Sequence, residues 1–341
     1  MYLLTLSEGS RICMQRQFRL GGVARRAANL RGQSIIEYVL IIAVVGLVIV
    51  FAGPGVAGAI RNQFNTVAGV LGSGTAGGTW EPSGSGSGNG AGSATVQAAI
   101  EKDAKDWTMD DQKAVAEDIA AKGEASPAYA KAKAAMDAGT TWSLKLTNGK
   151  TMTYRIIGIN HDDLADGSGK AGLTFLTTST GIRSPMNATN TNVGGWEKSE
   201  LRTKMNSGEI WNLMPSDFQS KVKSVKKLTN NVGGGSANKN AAVTATSDKL
   251  FLLSHSEIVP TSYWASSYPW TSSEGTQYEV FKGKVTDDNS ANDCLKIGGD
   301  WWERSAHPLT YDNFLYVNSS GNPAFGDFAA TSDCVCPAFS F

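Results

Sequence analysis

Residues 140–163, TTWSLKLTNGKTMTYRIIGINHDD, decide the fold because their hydrophobic pattern has a period of two. Apolar and polar residues alternate over 142–146, and a second apolar run returns at 154–159. Between the two runs, Asn148-Gly149 supplies the positive φ angles that a tight turn needs. The stretch therefore predicts a β-hairpin.

Upstream, residues 95–139 are rich in Ala, Lys, Glu and Asp, a composition that favours helix. Thr108 and Asp111 have the spacing of a capping box, and Ser126-Pro127 has the pattern of a second helix start. Gly139 is expected to end that second helix. These helices form either a neck or the first part of the globular domain, and the sequence leaves both open.

Downstream, 173–178 reads as a further strand. Helical signals return at 199–205 and after Ser216, where Gln219 sits at the capping-box position. From residue 249 onward, short strands are expected to alternate with loops rich in Gly, Asn and Ser. The predicted fold class of this part is α+β, with the helices grouped in the middle.

Composition limits the classes of function. The 341 residues are 41% hydrophobic and 18% charged, enough for one globular domain with extensions. The formal net charge is zero and the pI is about 6.8, so no nucleic-acid partner is expected.

The first 60 residues read as an export segment. Six arginines precede residue 32, and no charged residue occurs from 38 to 60, a run long enough to cross a hydrocarbon core of about 30 Å. The arginines predict a cytoplasmic start and export of the rest. Glu37, at the edge of the apolar run, needs a partner if it is buried in lipid.

The heptapeptide GQSIIEY, residues 32–38, resembles the class III signal of Flp/Tad-type pilins, and FNTVAGVL at 64–71 is similar to the end of those short pilins. The resemblance implies cleavage by a prepilin peptidase between Gly32 and Gln33. It also implies that Glu37 and Tyr38 act in filament assembly with other pilin subunits. A plain membrane anchor is the alternative.

The resulting domain layout has five parts. Residues 1–32 are a prepilin leader, 33–71 a long pilin-like hydrophobic helix, 72–94 a flexible Gly/Ser linker, 95–140 the helical neck and 141–341 a C-terminal domain. We expect a precursor that is inserted in the membrane and then displayed on an extracellular pilus or the cell surface.

The C-terminal domain carries the strings YRIIGINHDD, GGWEKSELRTKMNSGEIWNLMPSDFQ, DKLFLLSHSEI, WWERS and PAFSF. In these it resembles the DUF6273 family, over roughly residues 141–341. The resemblance implies a C-type-lectin-like or formylglycine-generating-enzyme-like fold. Two departures stand out: Glu303 replaces an expected Leu, and the string CVCPAF, residues 334–339, replaces GVRPAF.

The last 37 residues, 305–341, contain no Lys, Glu, Gln, Met or Trp. Only these five amino acids have codons that never end in C or T. Lectin-like folds carry the variable regions of diversity-generating retroelements. These elements randomise adenines and leave a C or T at the end of a codon unchanged. The tail resembles such a region, with a variable segment at about 306–336; an ordinary loop-rich tail is the alternative.

Two sets of residues follow from this interpretation. The predicted ligand-binding face consists of Ala306, His307, Leu309, Tyr311, Asn313, Leu315, Tyr316, Asn318, Ser320, Asn322, Phe325, Asp327 and Phe328. The predicted structural frame around it consists of Trp301, Trp302, Arg304, Pro337 and Phe339. Aromatic and small polar residues bind at low cost in side-chain entropy.

The three cysteines after the leader are an odd number for an exported protein. Cys294 is expected to form a disulfide with Cys334 or Cys336; free thiols left by diversification are the alternative. No fourth ligand for zinc is evident. The acidic run 161–166 lacks EF-hand spacing and reads as a solvated turn. We expect no metal and no cofactor.

Two functions remain open. The first is a minor or tip pilin, a pilus-associated adhesin, whose domain binds an unknown surface ligand: a host, bacterial or phage protein or glycan. The second is a structural Flp/Tad-type pilus subunit or an anchored surface protein with a fixed partner. Catalysis is not expected, because Cys334 and Cys336 lack the spacing of the reactive pair in formylglycine-generating enzymes.

Overall fold

The computed structural model describes residues 90–179, 181–235 and 238–341. Its helices are α1 (Gly90–Glu101), α2 (Met109–Lys122), α3 (Tyr129–Asp137), α4 (Gly195–Lys198), α5 (Glu200–Asn206), α6 (Glu209–Asn212), α7 (Ser216–Lys221) and α8 (His255–Ile258). Short 3₁₀ turns occur at Ala104–Asp106, Gly123–Ala125, Pro269–Ser272 and Asp293–Leu295.

Local sequence signals set the ends of the first helices. The Thr108–Asp111 capping box is confirmed: the Asp111 amide donates to Thr108 Oγ1, and the Thr108 amide donates to the Asp111 carboxylate. Gly139, at φ 66°, ends α3 with the Thr140 amide donating to the Ala135 carbonyl. α1 begins at Gly90, inside the segment 72–94 that was predicted as a linker.

The helices α1 to α3 pack on the same core as the hairpin that follows them. The indole of Trp107 stacks on Trp142 with ring centroids 6.2 Å apart. The Tyr154 hydroxyl donates to Gln112 Oε1 over 3.1 Å. These contacts make the three helices the first part of the globular domain.

The predicted hairpin is confirmed as β1 (Thr141–Lys145) and β2 (Thr151–Ile159), paired antiparallel. Its turn differs from the expectation, because only Gly149 has a positive φ, of 83°. The Gly149 amide donates to the Leu146 carbonyl, which gives a three-residue loop with glycine in the left-handed position. β3 (Leu173–Ser179) and β11 (Ala338–Ser340) complete this sheet in the order β1-β2-β3-β11.

A second sheet carries most of the C-terminal segment. Its strands are β4 (Arg183–Ser184), β7 (Trp301–Ala306), β8 (Asn313–Val317), β9 (Phe325–Phe328) and β10 (Asp333–Cys334), in the order β4-β10-β7-β8-β9. β5 (Val225–Asn230) and β6 (Val243–Asp248) form a separate antiparallel pair. The strand β9 therefore lies at a sheet edge.

Two local expectations fail for identifiable reasons. Residues 249–253 form no strand, because Phe251 makes an isolated bridge to Ala338 whereas the Leu253 carbonyl accepts the Arg304 amide, so no continuous ladder forms. Gln219 does not cap α7, since Pro215 is the N-cap residue there. The side-chain amide of Gln219 instead donates to the carbonyls of Trp211 and Met214.

The predicted fold class is corrected in one respect. The described residues are α+β, but none of their helices has the length and apolar composition to cross a membrane. The longest described helix, α2, has 14 residues, about 21 Å against a hydrocarbon core of about 30 Å, and it carries charged side chains. The hydrophobic segment 33–71 lies outside the described residues.

Candidate ligand-binding face

Asn192 joins its own loop to the loops 230–235 and 307–312 at one end of the second sheet. Its side-chain amide donates to the carbonyls of Thr310 and Asn313, over 2.9 and 2.7 Å, and its Oδ1 accepts the Gly234 amide. The Asn192 backbone amide also donates to Tyr311 O. Because Asn192 is fully buried, these bonds hold the 307–312 loop in a fixed position on the domain.

Gly234 shows how closely these loops approach. A Cβ atom at this position would lie 1.8 Å from the His307 carbonyl oxygen. The neighbouring Gly235 amide donates to Pro308 O. Only glycine therefore lets the 230–235 loop support the 307–312 loop.

Large hydrophobic side chains are concentrated on the surface that these loops form. Seven are exposed in the described residues, and four of them, Leu309, Tyr311, Phe325 and Phe328, belong to the tail. Val193 and Val232 lie on the two supporting loops, whose backbones are joined by the bond from the Gly194 amide to Val232 O. We call Val193, Val232, Leu309, Tyr311 and Phe328 the C-terminal face, because Phe325 lies on the other side of β9.

The β8–β9 hairpin has two different sides. Asn313 pairs with Phe328 and Tyr316 pairs with Phe325, so the pleat places the two phenylalanines on opposite sides of β9. The His307 ring covers Gly326, where an added Cβ would lie 2.4 Å from His307 Cδ2. On the other side, the Tyr316 and Phe325 rings lie 6.0 Å apart.

A network of buried charges lies beneath β7. Arg304 is fully buried, and its guanidinium donates five hydrogen bonds, to Glu257 and to the carbonyls of Leu228, Leu252 and Glu274. Burial favours the neutral form of Glu257, but Arg304 and Lys227 outweigh it and hold the pKa of that carboxyl below its usual value. The network therefore stays ionised and fixes β7 on the core.

A second buried cluster centres on His255. Its Nδ1 lies 3.1 Å from Glu303 Oε2, and its Nε2 lies 3.1 Å from Asp288 Oδ2. Burial lowers the pKa of His255, but the carboxylates of Glu303 and Asp288 raise it to about 9. All three side chains are inaccessible, so the cluster cannot touch a substrate.

The predicted face residues fall into three groups. Leu309, Tyr311, Phe325, Phe328 and Ser320 are exposed, and His307, Asn313, Tyr316, Asn318, Asn322 and Asp327 are partly buried. Ala306 and Leu315 are fully buried, which corrects their assignment, because the pleat turns them into the core.

The structure does not bring all of the accessible residues together. Asn318 Oδ1 accepts the amides of Ser320 and Asn322, so these three side chains form the turn between β8 and β9. That turn lies at the opposite end of the hairpin from Tyr311. The frame residues Trp301, Trp302, Arg304, Pro337 and Phe339 are all buried.

The cysteine prediction is corrected as well. Cys294, Cys334 and Cys336 are all free thiols. Cys336 is buried in the core, while Cys334 is half-buried beside Arg183, whose Nη1 lies 3.6 Å from its Sγ. Burial raises the pKa of both Cys334 and Cys336, which makes them poor nucleophiles.

The acidic run 161–166 has structural partners. Asp162 is buried between Lys227, Tyr278 and Thr174, and Asp163 pairs with Lys170 over 2.8 Å. Within the described part of the chain, no group of three or more His, Cys, Asp or Glu side chains has the arrangement of a metal site.

Sequence reasoning missed Asn192, Val193 and Val232. The bonds of Asn192 join residues 118 and 121 positions apart, and no local pattern announces them. Glycines 233–235 were the only available signal of a close loop approach. The predicted processing and assembly residues, Gly32, Gln33, Glu37 and Tyr38, lie outside the described residues.

The fold and this face define an α+β domain whose C-terminal segment builds an exposed apolar surface on a charged, buried frame. Residues 171–341 match the family described as Domain of unknown function (DUF6273), and the chain belongs to that family. No curated protein and no solved structure matches the chain. The expected C-type-lectin-like or formylglycine-generating-enzyme-like fold has no support from these comparisons.

Proposed function

We propose that this protein is a pilus-associated adhesin that binds a surface ligand through the C-terminal face, without catalysis. The observation that carries the proposal is the exposure of Leu309, Tyr311 and Phe328 around a rigidly supported loop. Exposed apolar patches of this kind mark interaction surfaces. The attachment to a pilus rests on the resemblance of GQSIIEY at 32–38 and FNTVAGVL at 64–71 to Flp/Tad-type pilins.

The rigid support of this loop favours a ligand-binding role over that of a structural pilus subunit. Three hydrogen bonds, two from Asn192 and one from Gly235, hold the 307–312 loop, so little conformational entropy is lost when Tyr311 contacts a ligand. Tyrosine and phenylalanine are also the side chains that dominate binding energy at protein surfaces. The ligand is proposed to be a protein or glycan on another cell or phage.

Diversification of the tail by a retroelement is part of the proposal and is tested in the coding DNA. We expect a near-copy of the sequence for 305–341 close by, next to a reverse transcriptase gene. The mismatches should fall on adenines of that copy and should spare the codons of buried Pro337 and Phe339. Mismatches at all four bases, or the absence of a copy, would mean that the tail is a surface segment of fixed sequence.

Adhesion tests the face itself. Beads coated with the full chain are expected to attach to cultured epithelial cells or to bacterial cells, and the double variant Tyr311→Ser/Phe328→Ser should attach about tenfold less, as loss of two central aromatic contacts predicts. Because both side chains are exposed, the melting temperature should stay unchanged.

The matched control is Tyr263→Ser. Tyr263 and Tyr311 are both 69% exposed, but Tyr263 lies outside the tail. The control should adhere like the wild type. Equal losses in the control and the double variant, or no adhesion by any form to either cell type, would contradict a specific binding face.

A further inference from the structure

One side of the second sheet carries carboxylates together with aromatic rings. Trp302 pairs with Tyr316, and Tyr316 pairs with Phe325, so these side chains share a side. Asp327 follows Phe325 by two residues and therefore points the same way. Strand β10 brings Asp333 next to this group, because Cys334 pairs with Trp301.

Asp333 is the unusual member of this group. It is 96% buried, since only 4% of its surface is exposed, and its Oδ2 has no hydrogen-bond partner. Its Oδ1 has only a long contact, 3.5 Å, to Nη2 of the largely exposed Arg183. A buried carboxylate oxygen without a partner is costly, so this position calls for a proton or a cation.

The surrounding charges are mostly negative. Burial, and then the carboxylates of Asp327 and Asp300, raise the pKa of Asp333 to about 6. Asp327 and Asp300 both lie close enough to Asp333 to act on its ionisation. Arg183 is the cation that opposes these three acids, so the group retains an excess of negative charge near neutral pH.

The geometry favours an organic cation over a metal ion. In the described ranges no three acidic, histidine or cysteine side chains are arranged as metal ligands. Phe325 is 43% exposed and its ring lies 6.0 Å from that of Tyr316, which leaves aromatic surface beside the accessible carboxylate of Asp327. Carboxylates next to aromatic faces bind ammonium and guanidinium groups.

We propose that Asp327, Asp333, Tyr316 and Phe325 form a subsite for a lysine or arginine side chain of a protein ligand. The subsite rests on the proposed function and specifies the ligand's chemistry. Asp327 accepts the hydrogen bond from the cation, and the rings flank its alkyl stem. Buried Asp333, close to Asp327, adds negative charge. It releases its proton to water when the cation binds.

The test uses the full chain labelled with ¹³C at the aspartate carboxyl carbons and two probes, Nα-acetyl-lysine amide and its neutral counterpart Nα-acetyl-norleucine amide. The lysine probe should move the Asp333 titration midpoint to lower pH, and the norleucine probe should not. Because proton and cation compete, the lysine probe should bind about tenfold more weakly at pH 5 than at pH 7.

Variants separate the parts of the subsite. Asp327→Asn should abolish binding of the lysine probe, whereas Asp137→Asn, an exposed carboxyl on α3, should not change it. Phe325→Leu keeps both carboxylates and should weaken binding severalfold, which covers the case in which Asp327→Asn does not fold. Equal shifts with both probes, no binding, or binding that ignores Asp327 and Phe325 would overturn the subsite.

The outcome is distinguishable from that of the proposed function. The variant Tyr311→Ser/Phe328→Ser changes residues outside the subsite and should bind the lysine probe like the wild type. Loss of adhesion in that variant, combined with no response to lysine, would leave the adhesive face standing and remove only the basic-side-chain subsite.

Discussion

Replacement of Arg304 by methionine is expected to lower the free energy of unfolding by about 3–5 kcal/mol, the cost of breaking a buried ion pair. Methionine fills much of the arginine volume but donates no hydrogen bonds. The carbonyls of Leu228, Leu252 and Glu274 would then lose their donors, and Glu257 would keep only Lys227 as a cationic partner. Urea unfolding followed by fluorescence measures the change.

Two further variants make this result interpretable. Lys226→Met removes an exposed cation next to buried Lys227 and should change the unfolding free energy by no more than about 0.5 kcal/mol. Arg304→Lys keeps the charge but loses the fork that serves four partners, so it should fall between wild type and Arg304→Met. A loss below about 1 kcal/mol in Arg304→Met would show that the network is not holding β7.

Local patterns predicted the parts of the fold that are held by local forces. The alternation at 142–146 and 154–159 gave the hairpin, and Thr108 with Asp111 gave the start of α2, because each signal acts within a few residues. The family match begins at residue 171, yet α1 to α3 and the hairpin share its core. Contacts such as that between the rings of Trp142 and Phe175, 6.1 Å apart, join these elements to the matched region, and the family strings do not report them.

The candidate face was only half predictable. The residue bias of the tail marks a segment at the level of codons and says nothing about which side of a strand a residue occupies. Ala306 and Leu315 were therefore assigned to the face although the pleat buries them. Asp333 escaped attention because its role depends on Asp300 and Asp327, which only the folded sheet brings near.

The stability of the folded domain is expected to fall by about 3 kcal/mol between pH 6.5 and pH 9 through His255. Its pKa is about 9 in the folded protein, against an ordinary value of 6.5. Because the pKa of His255 is higher in the folded protein than in the unfolded chain, its protonation stabilises the folded state fully below the unfolded pKa. This stabilisation is lost as the pH rises through the folded pKa. Burial also raises the pKa of Glu303, against the opposing charge of His255.

Urea unfolding across this pH window, with matched variants, isolates the cluster. His255→Gln should remove most of the decline, because glutamine does not titrate. Asp288→Asn takes away one of the two carboxylates that face the imidazole and should reduce the decline, whereas Asp287→Asn changes a neighbouring carboxyl bonded only to Thr286 and Asn289 and should leave it intact. A wild-type curve that is flat from pH 6.5 to 9, or a decline that persists in His255→Gln, would mean that the imidazole between Glu303 and Asp288 is neutral. In that case Glu303, whose Oε1 has no hydrogen-bond partner, would hold the proton instead.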